Sequence, residues 1–248
     1  MKALVLGASG ATGKLAVRQL AQRGIEVRAL LREGASLGEE PIDLASVEVR
    51  RGSIAELDQA ALAGLVEGCD AIVSCLGHNI TLKGIYGAPR LLVRGAIQGC
   101  CEALRRGGGG KRKLVLMSTT ASEDRELREA RSAAERAILA ALTLVLPPHR
   151  DNIAAATYLA EVVGRDDPAI EWVAVRPDGL VDAPSPSPSP YELYEAPRRS
   201  PLFDPGKTSR VNVAAFMAEL LAKGELWETW KGRMPVIYDA GQAAGRDA

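Results

Sequence analysis

Gly7-Ala8-Ser9-Gly10-Ala11-Thr12-Gly13 is the stretch that decides the fold of this chain. It follows the apolar run Ala3-Leu4-Val5-Leu6 and opens Gly10 to Arg23, where Leu15, Ala16 and Leu20 recur at helical spacing, so it reads as strand, tight turn, helix. Each glycine has its own reason. The first lets the chain turn sharply off the strand, the second lets the backbone approach a pyrophosphate, and the third lets the helix pack closely on the sheet. The N–H groups of the new helix then face the phosphates. A glycine triplet alone is weak evidence, but one placed between a strand and a helix has the context of a dinucleotide site.

Outward from this turn the alternation continues. Gly24 closes the helix, and Glu26 to Leu31 reads as a second strand with Val27, Ala29 and Leu31 on one face. A third strand is expected at Val47 to Arg50, a helix from Ile54 to Val66, a fourth strand from Ala71 to Cys75, a helix from Pro89 to Arg105, and a fifth strand from Lys113 to Met117. Glu123 to Arg136 reads as a charge-rich helix with a solvated face. Asp151 to Val163 reads as a further helix, and Trp172 to Val175 as a sixth strand ending at Arg176-Pro177. Strands alternating with helices imply an α/β fold: a Rossmann-type, doubly wound parallel sheet covered on both faces. The expected organisation is a single domain over residues 1–240, interrupted by a Pro/Ser-rich loop insertion at 183–210. An amphipathic helix, Val211 to Ala222, and a strand, Pro235 to Tyr238, return to the fold before a flexible tail at 241–248.

Composition narrows the function classes. The 248 residues hold 31 Lys+Arg against 31 Asp+Glu, a formal net charge of zero, which argues against a nucleic-acid partner. No window reaches the apolar length of a membrane span, and the N-terminus shows no charged region leading into an apolar core, so no membrane partner and a cytoplasmic location are expected. Cys69, Cys75, Cys100 and Cys101 form no C-x-x-C pair and only His78 and His149 could join them, so no metal site is expected. Adjacent Cys100 and Cys101 read as small buried hydrophobes. Aromatics at 4% require an aliphatic core.

The dinucleotide can be specified further. An NAD-selective site places Asp or Glu at the end of the second strand to hold the ribose 2′-hydroxyl. Here that place, 19 residues after Gly13, holds Arg32. A guanidinium there pairs with a 2′-phosphate, so NADP(H) is expected in preference to NAD(H).

At this point the residues resemble a known family. The G-x-x-G-x-x-G spacing, Arg32 ending the second strand, Arg51-Gly52-Ser53-Ile54, Cys69 to Gly77, Val115 to Thr119, Val175 to Leu180 and Ser209 to Ala214 fall in the order seen in atypical short-chain dehydrogenases. The chain is similar to their NAD(P)H-binding, NmrA-like or biliverdin-reductase-B-like branch over nearly its whole length. The resemblance implies that Gly7, Ser9, Gly10, Ala11, Thr12 and Gly13 form the pyrophosphate turn and Arg32 holds the 2′-phosphate. It places Ser53 and Ile54 beside the adenine, Cys75, Leu76 and Gly77 along the ribose side, and Ser118, Thr119 and Pro177 near the nicotinamide. The family usually has Asp where Ser53 stands, so the adenine amino group lacks its usual carboxylate partner.

The family's usual catalytic pair is absent. Short-chain dehydrogenases reduce carbonyls with Tyr-x-x-x-Lys, the lysine lowering the tyrosine pKa so that it can give its proton to the developing alkoxide. No Lys occurs between Lys113 and Lys207, and Tyr158, Tyr191 and Tyr194 have no lysine four residues on. Hydride can still pass to an acceptor that needs no strong enzymic acid. The candidate donors are Ser118, which reads either as an active-site hydroxyl or as a cap on the next turn, and His149, which reads either as a donor or as an exposed residue beside a proline turn. His78 could touch ribose or substrate, or face solvent; Tyr158 suits core and catalysis equally.

The leading expectation is therefore an NADP(H)-dependent oxidoreductase of a small low-polarity acceptor, such as a flavin, quinone or conjugated carbonyl, with the 183–210 segment as a mobile cover. The alternative is an NADP-binding redox-sensing regulator without turnover. A sugar epimerase or dehydratase ranks last, because such enzymes resemble a branch that retains the Tyr-Lys pair. Nothing in the sequence sets an oligomeric state.

Overall fold

The computed structural model describes residues 1–38, 46–77, 91–127, 129 and 131–243. Its central strand, β1 (Lys2–Leu6), shows why the apolar runs are continuous rather than alternating. Ala3 and Val5 point into one core and Leu4 and Leu6 into another, because helices cover both faces of the sheet. The first core is closed by α1 (Ala11–Gln22), packed on a late helix through Ala16, Val17 and Leu20. β2 (Glu26–Leu31) puts Val27, Ala29 and Leu31 in that same core, as the sequence pattern requires.

β3 (Val47–Arg51) pairs with β2, and β4 (Ala71–Ser74) pairs with β1 on its other side. Between them α2 (Gln59–Val66) is shorter than the Ile54 to Val66 expectation. Asp58 stops it from starting earlier by accepting a hydrogen bond from Ala61 N–H at 2.8 Å, a cap that leaves residues 54–57 outside the helix. α3 (Leu92–Gly107) and β5 (Arg112–Met117) follow. The expected start of α3 at Pro89 lies outside the described residues.

The charge-rich run is the main departure. Residues 125–127 form a turn, and α4 (Ala133–Val145) begins only after Ser132, whose hydroxyl accepts from Glu135 N–H at 3.0 Å. The run is not one solvated helix, because Glu129 is drawn inside to neutralise a buried arginine. α5 (Pro147–Tyr158) starts earlier than expected, with proline in its first turn where no N–H is needed, and runs on as a π-helical turn, Leu159–Val163, to Gly164.

β6 (Ile170–Pro177) pairs with β5 and is followed by the two-residue strand β7 (Leu180–Val181). The 183–210 insertion is not all irregular. It contains β8 (Tyr191–Tyr194) and ends in β9 (Thr208–Ser209), which pairs with β7. Tyr191 and Tyr194 anchor β8 by ring contacts with Phe216 and Tyr238, each at 6.0 Å between centroids. α6 (Arg210–Ala222) is buried almost all round rather than amphipathic, since the sheet and α1 meet it on one side and Tyr191 packs beside Phe216. Its buried polar residue Asn212 donates to Asp239 at 2.7 Å.

α7 (Gly224–Trp230) and β10 (Val236–Asp239) complete the chain. The eight-stranded sheet has the order β3-β2-β1-β4-β5-β6-β10-β8, and only the β10–β8 pair is antiparallel. Strand order reverses between β1 and β4, the place where open α/β sheets bind ligands. Within the expected 241–248 tail, Ala243 is packed with Val236 and Tyr238, and residues 244–248 lie outside the described residues. No helix among the described residues is long and apolar enough to cross a membrane. The four cysteines are free and buried, and burial pushes the thiols of Cys75, Cys100 and Cys101 up to about 12.

Candidate functional site

The glycine turn sits at the carboxyl end of β1, beside the reversal point. Gly7 has φ +72°, and a Cβ there would lie 2.6 Å from the Cys75 carbonyl oxygen of β4's continuation. A Cβ at Gly13 would fall 2.0 Å from the Gly7 oxygen, so the third glycine is fixed by the closeness of helix and turn. Gly10 N–H closes the turn on the Gly7 carbonyl at 2.9 Å. As N-cap of α1, Gly10 supplies no side-chain cap, and the first turn carries no acidic residue. The leading N–H groups and the positive end of the helix dipole are thereby left for an anion. Gly10 and Ala11 are exposed and Ser9 is half-buried; Thr12 is buried, so it faces this space through its backbone.

Around the turn the strand ends form a rim. Arg32 follows β2 and is exposed. Ser53 and Ile54 follow β3, both half-buried, and Ile54 borders a cavity of about 290 Å³ walled by Leu57, Leu62, Leu92 and Ala96. Cys75 extends the β1–β4 ladder by donating to Leu6 at 2.9 Å. Its side chain enters the first core and that of Leu76 the second, so both present backbone to the rim, and Gly77 is exposed. His78 lies outside the described residues.

At the ends of β5 and β6 the chain builds a denser structure. Ser118 N–H donates to Val175 at 2.7 Å, and its hydroxyl, 7% exposed with its residue, shares a hydrogen bond with Ser122 at 2.9 Å. Thr119 is half-buried and its hydroxyl accepts from Ala121 N–H at 3.3 Å. Pro177 is buried opposite Ile237. Asp178 joins three segments: one carboxylate oxygen accepts from Thr120 Oγ1 at 3.2 Å and Gly179 N–H at 3.0 Å, the other from Gly206 N–H at 2.8 Å. Burial raises its carboxyl above the ordinary value.

Behind Ser118 lies the buried charge network that captures Glu129. Arg176 is 0% exposed and donates to the carbonyls of Met234 at 2.5 Å, Ser122 at 2.8 Å and Glu195 at 2.7 Å, and to the Glu129 carboxylate. Arg131 bonds the other Glu129 oxygen at 3.1 Å and the Thr120 carbonyl at 2.7 Å. Guanidiniums thus hold the loop that carries Ser118, Thr120 and Ser122 at three carbonyls, those of Thr120, Ala121 and Ser122.

His149 lies in the first turn of α5, a helix that runs opposite to the strands and so begins toward the same edge of the sheet. Its Nε2 is buried without a hydrogen-bond partner among the described residues, and burial lowers its pKa. Two residues on, Asp151 is fully buried and caps α3, accepting from Val93 N–H at 2.7 Å and Arg94 N–H at 2.9 Å. Tyr158 belongs to the second core, with the Arg94 guanidinium 3.9 Å over its ring and its hydroxyl pKa raised by burial.

A family model described as NAD(P)H-binding matches residues 7–224, from the first glycine of the turn into the start of α7. The chain belongs to the NAD(P)H-binding family. No curated protein matches it in sequence. Solved structures share its fold. The oxidoreductase ylbE from Lactococcus lactis superposes with a TM-score of 0.67 at 16% identity, covering 98% of this chain and 93% of that one. ChuY, an anaerobilin reductase from Escherichia coli O157:H7, gives 0.66 at 17% identity over 100% of both chains. A short-chain dehydrogenase/reductase from Veillonella parvula in complex with NADP gives 0.63 at 15% identity, covering 98% of this chain and 96% of that one.

For a member of the NAD(P)H-binding family, the uncapped helix start and the close backbone packing at Gly7 and Gly13 are what a bound pyrophosphate needs. Sequence reading overlooked Ser122, Asp178, Glu129, Arg131 and Asp151. One signal was available: Arg176 ends the apolar strand Trp172 to Val175, and an arginine buried there needs a carboxylate from elsewhere in the chain.

Proposed function

We propose that this protein is an NADPH-dependent reductase of a small conjugated acceptor, such as a flavin, quinone or conjugated carbonyl, acting without a Tyr-x-x-x-Lys pair. The reduced nicotinamide supplies a hydride when bound; the chain's own residues supply position and a proton. Backbone N–H groups from Gly10 to Gly13 hold the pyrophosphate and Arg32 the 2′-phosphate. Ser53 and Ile54 flank the adenine, the backbone of Cys75 to Gly77 lines the ribose, and Thr119 and Pro177 border the nicotinamide. The observation that carries the reading is the Ser118–Ser122 hydroxyl pair at the carboxyl end of β5, 2.9 Å apart and held from behind by Arg176. Ser118 hydrogen-bonds the acceptor atom on which charge develops, and Ser122 fixes the direction of its hydroxyl. A serine is a weak acid, which suits an acceptor whose reduced form is stabilised by conjugation.

His149 supports this division of labour by contrast. With its pKa lowered by burial it is neutral at neutral pH, a poor source of protons. The 183–210 segment, rooted by β7–β9 pairing and by Ser189 on Asn212 at 2.9 Å, is the cover that excludes water from the hydride path. The test is oxidation of NADPH by a panel of flavins, quinones, linear tetrapyrroles and enones. Turnover with at least one acceptor, slowed by Ser118→Ala, is expected. NADPH binding without oxidation by any acceptor would instead support the regulatory reading.

A further inference from the structure

The rim that faces the adenosine end of the site carries a second arginine. Arg51 closes β3 directly opposite Leu31, the residue before Arg32. Its guanidinium reaches across through Nη1 to the carbonyls of Ala35 at 2.5 Å and Arg32 at 3.2 Å. Those carbonyls belong to one turn, closed by Ala35 N–H on the Arg32 carbonyl at 3.0 Å. Arg51 thus grips the piece of backbone from which the Arg32 side chain projects. Both bonds run through one nitrogen, so the turn does not use the Nε–Nη2 edge of the fork, the edge with bidentate geometry for a carboxylate or phosphate. A third cation stands near the residues that follow this turn. Lys14, in the first part of α1, places Nζ 3.8 Å from where a Cβ of Gly38 would stand.

We propose that Arg51 is a specificity-determining residue for the cofactor's phosphomonoester: it fixes the Arg32 turn with one nitrogen and offers its remaining edge to the same anion, so that the 2′-phosphate of NADPH meets a two-arginine clamp. The proposal rests on the reading of Arg32 given above. A phosphomonoester dianion gains charge-assisted bonds from each guanidinium, whereas the 2′-hydroxyl of NADH gains little and leaves two neighbouring cations uncompensated. The arrangement raises affinity for one dinucleotide and leaves the other nearly indifferent to Arg51.

Equilibrium titration of the full chain with NADPH and with NADH, read by nicotinamide fluorescence, tests this in wild type, Arg32→Ala, Arg51→Met and Arg51→Lys. Arg51→Met is expected to weaken NADPH binding about tenfold or more while leaving NADH unchanged. Arg51→Lys keeps the charge but not the fork, and is expected to recover part of the loss. If Arg32→Ala lowers the NADPH-to-NADH ratio and Arg51→Met does not, or if Arg51→Met weakens both dinucleotides equally, the clamp is overturned. If Arg32→Ala itself leaves the ratio unchanged, the reading of Arg32 fails, and the clamp with it.

Discussion

At Gly13 the absent side chain is a packing requirement, since a Cβ would stand 2.0 Å from the Gly7 carbonyl oxygen, with backbone on both sides. Gly13→Ala must therefore separate helix and turn. Overpacking of this kind costs about 1–3 kcal/mol, so urea unfolding should show that loss together with weakened NADPH binding. An alanine variant with wild-type affinity would remove the turn from the site. His149 gives a second test at this scale. Its folded pKa lies below the ordinary 6.5, so the unfolded chain takes up the proton first and stability falls as pH drops below that value. His149→Asn, which does not titrate, is expected to flatten the decline of the urea midpoint on acidification. An unchanged slope would place the titration elsewhere. The glycine turn was legible because its packing is a matter of its own backbone, and the place of Arg32 because it directly follows the end of β2. Ser122 and Asp178 were not, because their roles depend on partners such as Thr120 and Gly206 that only the fold brings near.

Among the elements, the parallel strands were the most legible, because continuous apolar runs such as Ala71 to Val73 have few alternatives in a layered fold. The Glu123 to Arg136 run was misleading because local charge pairing on a helix contributes only tenths of a kcal/mol. A buried, unpaired arginine costs far more, so the contact between Glu129 and Arg176 on β6 decides the local structure. Glu129→Leu should destabilise the protein by about 3–5 kcal/mol, measured by urea unfolding. Combining it with both Arg176→Met and Arg131→Met should restore much of that loss, because the two guanidiniums buried against Glu129 are then removed with it; independent, additive losses would contradict the network. The insertion was partly legible. Its proline-serine portion is open, but β8 depends on matching Tyr191 to Tyr194 against β10 and on Phe216 and Tyr238, contacts without a local signature.

For the whole molecule, the even charge count and the paired cores describe a neutral scaffold whose ligand chemistry is concentrated at one edge of the sheet. In the proposed function, the β1 turn and the β2–β3 rim face one end of the dinucleotide, and the β5 and β6 ends face the other. On that proposal, this division lets a chain without Tyr-x-x-x-Lys keep the binding half of the family's apparatus and perform a reduction that asks little of an acid. The most direct test is single-turnover oxidation of the NADPH-loaded protein by the fastest acceptor of the panel, with ordinary and 4-deuterated nicotinamide. The expected result is loss of the reduced-nicotinamide absorbance with a primary isotope effect and a slower rate in Ser118→Ala. Bound NADPH that no acceptor oxidises, or an oxidation indifferent to both the label and Ser118, would contradict the account.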